Sequence, residues 1–182
     1  MKKWEKLSEE ILHKNPWWTY RHEKYVLPNG KEGNYYYMHT NGGALVIPVL
    51  DDGRIVMVRQ RHYLFKRESI EFPRGGVKEN QSYEEAARAE FEEEAGYKVG
   101  ELRLIGEIAP NIGLDDEIMK IFLAKKLEKT KSHPDETEEI EILFKTPEEI
   151  DKMVETNEIW DGQVLAAWAL ARKYFIKGKA LC

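Results

Sequence analysis

Apolar residues along this chain follow two kinds of pattern, and each predicts a different element. Continuous runs at Ala44-Leu45-Val46-Ile47-Pro48-Val49-Leu50 and Arg54-Ile55-Val56-Met57-Val58, joined by Asp51-Asp52-Gly53, predict a hairpin buried on both faces and covered by helices. Alternating segments at 102–109, 117–124 and 139–144 predict half-buried strands, and Ser69-Ile70-Glu71-Phe72 predicts a short one. Residues about 17–28 and 33–40, rich in tyrosine and separated by Pro28-Asn29-Gly30, predict an N-terminal hairpin.

Helix signals are equally local. Ser82 followed by Glu85 three residues later is a capping-box start, and Gly96 is a natural stop. Thr146-Pro147-Glu148-Glu149 opens a second helix, with Thr146 as N-cap and Pro147 in the first helical position. A third, roughly Asp161 to Ile176, carries Val164, Leu165, Trp168, Ala169, Ala171 and Tyr174 on one packing stripe. Strands first, one helix between them and helices last predict an α+β fold, an α/β/α sandwich with a β elaboration at the N-terminus.

Composition narrows the classes. At 182 residues with 42% apolar and 34% charged side chains, one soluble domain with a short N-terminal elaboration is expected. A formal net charge of −5 and the absence of a basic stripe argue against nucleic acid or anionic membranes as partners. No apolar run approaches a membrane span, and no secretory signal opens the chain. The single cysteine, Cys182, rules out a disulfide framework, so a cytoplasmic location is expected.

The chemistry concentrates in 75–97. Glu90, Glu93 and Glu94 stand at i, i+3 and i+4, so their carboxylates share one helix face near the C-terminal end, where the macrodipole favours cations. Ala86 and Ala87 precede Glu90 on the same side, so this face is small and apolar before it turns acidic, while Glu92 points away to solvent. A solvated acidic face is the plain explanation. The carboxylate cluster favours a hard divalent cation, Mg²⁺ or Mn²⁺, engaged with substrate phosphates.

This stretch resembles the Nudix box. Gly75, Glu90, Phe91, Glu93, Glu94, Gly96 and Tyr97 fall on its spacing, whereas Gln81 stands where the first Glu belongs and Ala89 where the Arg belongs. The family arginine helps hold the glutamates, and Arg88 with Glu79 is the expected replacement. Flanking segments, among them Asn15-Pro16-Trp17-Trp18, Leu27-Pro28-Asn29-Gly30-Lys31, Glu71-Phe72-Pro73-Arg74-Gly75-Gly76 and Gly113-Leu114-Asp115-Asp116-Glu117, look like the ADP-ribose pyrophosphatase branch.

The resemblance implies a Nudix fold over 41–182, with the hairpin of 1–40 exchanged between subunits of a homodimer. It implies metal on Glu90, Glu94 and Glu93, joined by the backbone carbonyl of Arg74, and a catalytic base on the acidic loop at Glu136 or Glu138. Arg59 and Arg61, with His62 where the branch has Arg, are candidates for phosphate. Trp17 and Trp18 are candidates for the base, with packing the alternative for at least one. Asp115, Asp116 and Glu117 are candidates for the terminal sugar, with a plain turn the alternative.

The activity implied is Mg²⁺-dependent cleavage of a nucleoside diphosphate sugar, ADP-ribose first and GDP-mannose or another nucleotide sugar next. One rival is a nucleotide-sugar sensor without turnover, blunted by Gln81 and Ala89. Another is an interaction module using only the aromatic hairpin.

Overall fold

The computed structural model describes residues 4–131 and 139–176. Its N-terminal part is a three-stranded antiparallel sheet, β1 (Glu5–Lys14), β2 (Thr19–Val26) and β3 (Glu32–His39). The expected hairpin is therefore only two thirds of this unit. β1 reads Glu-Lys-Leu-Ser-Glu-Glu-Ile-Leu-His-Lys, every residue of it exposed, so no buried face imposes a period-2 pattern.

Beyond it lie a four-stranded mixed sheet and a three-stranded antiparallel sheet. In the first, β4 (Gly43–Pro48) pairs antiparallel with β7 (Arg74–Gly76) and parallel with β9 (Met119–Lys129), which pairs with β8 (Tyr97–Ile108). In the second, β5 (Ile55–His62) lies between β6 (Arg67–Glu71) and β10 (Ile140–Lys145). The expected β4–β5 hairpin thus splits: the two strands join different sheets, with the Val49–Ile55 bridge and the Leu50 N–H to Arg54 O bond linking them at their turn.

Helices account for the continuous apolar runs. Ala44, Val46 and Val56 pack with Ala86, Ala87 and Phe91 of α1 (Tyr83–Ala95). Their alternates Leu45, Ile47, Ile55 and Met57 pack with Ile150 and Met153 of α2 (Pro147–Glu155) and with Val164, Ala167 and Trp168 of α3 (Gly162–Ala171). Both faces of these strands are dry, as their sequence requires. On α3 the stripe differs from expectation in one place, since Ala167 is buried and Ala169 exposed. The helix ends at Ala171, and a 3-10 turn (Arg172–Tyr174) carries the chain on.

Helix ends follow the local code. Glu85 N–H donates to Ser82 Oγ at 3.2 Å and Ser82 N–H to Glu85 Oε2 at 2.8 Å. Gly96, at φ 71°, closes α1 in the left-handed region that glycine favours. Thr146 and Glu149 form the same reciprocal box on α2.

Candidate active site

The end of the N-terminal sheet and the acidic end of α1 face each other across an open cleft of about 1470 Å³. Lys14, Trp17, Trp18, Arg21 and His39 line one wall; Glu90, Glu93, Glu94 and Glu117 line the other, with Arg74, Gly75 and Gly76 also in the lining. The walls are held in place by β3: Met38 N–H donates to Leu114 O at 3.0 Å, and Asp116 N–H to Met38 O at 3.2 Å. His39 Nδ1 lies 2.7 Å from Asp116 Oδ2.

The acidic wall is built by close packing. Ala86 and Ala87 are fully buried against the sheet, so α1 approaches it closely and carries Glu90 up to the β7 backbone. A Cβ on Gly75 would overlap the Glu90 carboxyl group and push that side chain aside, so the glycine lets the two lie in close contact. Glu90 is half-buried, Glu93 exposed and Glu94 buried. Among the described residues no three such side chains stand close enough to enclose an ion, so binding one requires the set to draw together. The donors themselves fit Mg²⁺ or Mn²⁺, being carboxylate oxygens beside a strand end stripped of side-chain bulk.

Glu117 shares this wall. Burial, then the charges of Asp115 and Asp116, push its carboxyl above the usual range, with Arg74 opposing them. Asp115 and Asp116 do not line the cleft. Asp115 accepts from Asn111 Nδ2 at 2.9 Å and from Glu117 N–H at 3.2 Å, a turn role; Asp116 holds His39 and the Thr40 N–H.

The two tryptophans have different surroundings. Asn15 Oδ1 accepts from both their backbone N–H groups at 2.9 Å, which shapes the β1–β2 turn. Trp18 is half-buried and packs its ring 5.5 Å from His13, whereas Trp17 is 79% exposed at the cleft.

The expected phosphate cations on β5 are placed elsewhere. Arg59 lies opposite Glu141 in the β5–β10 register and donates to it at 2.7 Å, while Arg61 donates to Lys66 O at 3.1 Å. His62 Nε2 bonds to the fully buried Glu71. None of the three lines the cleft, because β5 belongs to the second sheet. Arg88 also faces away, donating to Val99 O and to Glu84 Oε1, so it does not brace the glutamates. Glu79 lines the cleft. Glu92 is half-buried at the rim, 3.9 Å from Lys98, rather than free in solvent. Glu136 and Glu138 lie outside the described residues.

Lys14, Arg21 and His39 were not legible as site residues. Arg21 is one polar residue in an ordinary strand, and only sheet pairing turns it toward the cleft. Its guanidinium lies 3.1 Å from Glu9, and its buried Nε has no hydrogen-bond partner.

A sheet–helix sandwich with this glutamate-bearing helix beside a glycine strand defines the Nudix class, and the NUDIX domain profile matches residues 39–168. The chain belongs to the Nudix family and is a Nudix pyrophosphohydrolase. Residues 4–38 match the nucleoside diphosphate sugar hydrolase N-terminal domain. The chain is 34% identical over 147 residues to the ADP-ribose pyrophosphatase of Bacillus subtilis (strain 168), covering 80% of each. It is 27% identical over 143 residues to the methanol dehydrogenase activator of Bacillus methanolicus, covering 78% of this chain and 77% of that one. A crystal structure of an ADP compounds hydrolase superposes with a TM-score of 0.83 over 96% of this chain and 95% of that one, at 20% identity.

Proposed function

We propose that the protein hydrolyses the diphosphate of nucleoside diphosphate sugars with the help of Mg²⁺ or Mn²⁺, ADP-ribose being the first candidate and GDP-mannose or another nucleotide sugar next. The observation that carries this reading is the two-walled cleft, which sets an exposed tryptophan and cations opposite the Glu90, Glu93 and Glu94 face. A nucleotide sugar has the matching parts: a flat base, an anionic bridge and a polar sugar.

Water adds across the P–O–P bridge. One P–O bond forms, the bridging P–O bond breaks, and a nucleoside monophosphate and a sugar phosphate leave. Trp17 stacks the base, while Arg21 and Lys14 receive phosphate oxygens that the acidic wall would otherwise repel. Glu117 meets the sugar. Glu90 and Glu94 would hold the metal, aided by Glu93 and the Arg74 carbonyl. A divalent metal held there would neutralise phosphate charge and lower the pKa of water. The base that takes the water's proton is assigned, on the family resemblance, to Glu136 or Glu138. The working form is a homodimer in the cytoplasm that exchanges the sheet of 1–40.

Incubation with a panel of nucleotide sugars and titrated Mg²⁺, run beside Glu94→Gln, tests this. The wild type should release AMP from ADP-ribose only with metal, and Glu94→Gln should lose that release while keeping its fold. Tight binding of ADP-ribose with no AMP formed would make the protein a sensor instead.

A further inference from the structure

We propose that Arg74 is a positioning residue: its guanidinium, clamped between Glu71 and the N-cap of α3, holds the Arg74-Gly75 backbone against Glu90 and so sets how tightly the site grips a divalent cation. The proposal rests on the metal-dependent reading above.

The need for such a brace comes from the helix itself. Three glutamates crowd one face of α1, Ala89 offers no guanidinium, and Arg88 is turned to Val99 and Glu84. Arg74 carries one on the strand whose next residue, Gly75, packs against Glu90. Its Nη2 lies 2.7 Å from Glu71 Oε2. It also grips Asp161 with both terminal nitrogens, at 3.0 and 3.2 Å, and donates to Gln163 Oε1 at 2.6 Å.

Its two carboxylate partners are themselves held in place. Glu71 is fully buried and further held by Gln60 Nε2 at 3.3 Å and by His62, which explains why His62 turns inward. Asp161 caps α3 by accepting from Val164 N–H at 2.9 Å, and Val164 is fully buried in the core. The guanidinium thus joins the strand end before the glycine pair to a core helix.

Two consequences separate this from a simple charge effect. A lysine keeps the charge but loses the planar fork that serves Asp161, Glu71 and Gln163 together. Groups that orient metal ligands typically change affinity by about 10–100-fold when removed. Mn²⁺ binding to the full chain, followed by the EPR signal of free Mn²⁺, reads this without any turnover. Arg74→Lys should weaken Mn²⁺ binding about tenfold, and Gln163→Ala, which removes one anchor without touching charge and keeps a melting temperature close to wild type, by less.

If Arg74 acted only as a charge, Arg74→Lys would bind Mn²⁺ like wild type and Arg74→Met would bind it more tightly. That pair of results would overturn the clamp while leaving the metal site in place. Wild-type protein that binds no Mn²⁺ would overturn the metal-dependent reading, and the clamp's role with it.

Discussion

Trp17 and Trp18 are neighbours of identical chemistry, yet their surroundings differ. Both line the cleft, but Trp18 is half-buried and packs on His13, while Trp17 is 79% exposed. Stacking on a base is worth roughly 1–3 kcal/mol, so Trp17→Ala should raise KM for ADP-ribose by about five- to 150-fold and leave the melting temperature near wild type. Trp18→Ala should instead lower the melting temperature. Steady-state kinetics and a thermal scan on the two variants decide between these roles. Equal losses of both kinds in both variants would show that the turn acts as one packed unit. The same lesson holds for the arginines. Arg59, Arg61 and Arg88 have the right chemistry for phosphate or carboxylate, but cross-strand and helix-surface partners claim them first.

Among elements, α2 and α3 are tied by a second polar clamp. Asp151 on α2 accepts from Trp168 Nε1 at 2.8 Å and from Arg172 Nε at 2.9 Å. Burial raises the Asp151 pKa, but the bonds from Arg172 and Trp168 outweigh it and hold the carboxyl below its usual 3.8. A carboxylate depressed in the folded state favours folding above its unfolded pKa, and that contribution fades as pH falls through the lower folded value. Asp151→Asn should therefore cost stability at pH 7 and progressively less as the pH falls below about 4. Melting curves of both proteins at pH 7 and pH 3 check the sign. A gap that widens at pH 3 would contradict it.

The element level also shows where pattern reading stops. The apolar runs of β4 and β5 announced burial on both faces, and both are buried. Their proximity in sequence suggested a hairpin. The pairing went instead to β7, β9, β6 and β10, because a strand dry on both faces carries no pattern that names its neighbour.

The molecule as a whole leaves its N-terminal sheet thinly covered. Trp4, just before β1, and Leu7, Ile11 and Leu12 along it are 56, 48, 56 and 45% exposed, and Tyr36 is 51% exposed nearby. Exposed apolar surface of this extent on a protein in water is normally matched by a partner surface. A second copy of the chain is the partner proposed above. Sedimentation should return a dimer, and Leu7→Glu with Ile11→Glu should shift it toward monomer and reduce turnover together. A fully active monomeric double variant would show that exchange of this sheet is not needed for the cleft to work.

What the amino-acid order determined by itself was whatever depends on neighbours a few residues apart. The Ser82 and Thr146 caps, the Gly96 stop and the shared face of Glu90, Glu93 and Glu94 follow from helix geometry alone. Such features need no distant contact. Tertiary structure decided which wall faces that acidic helix, because Lys14, Arg21 and His39 reach the cleft only through strand pairing and the tether of β3 to the 111–118 loop. It also gave Arg74 its partners, since Asp161 and Gln163 lie 87 and 89 residues away along the chain and meet it only when α3 packs on the sheet. Long-range electrostatic pairing is set by the packed core, and no local spacing encodes it.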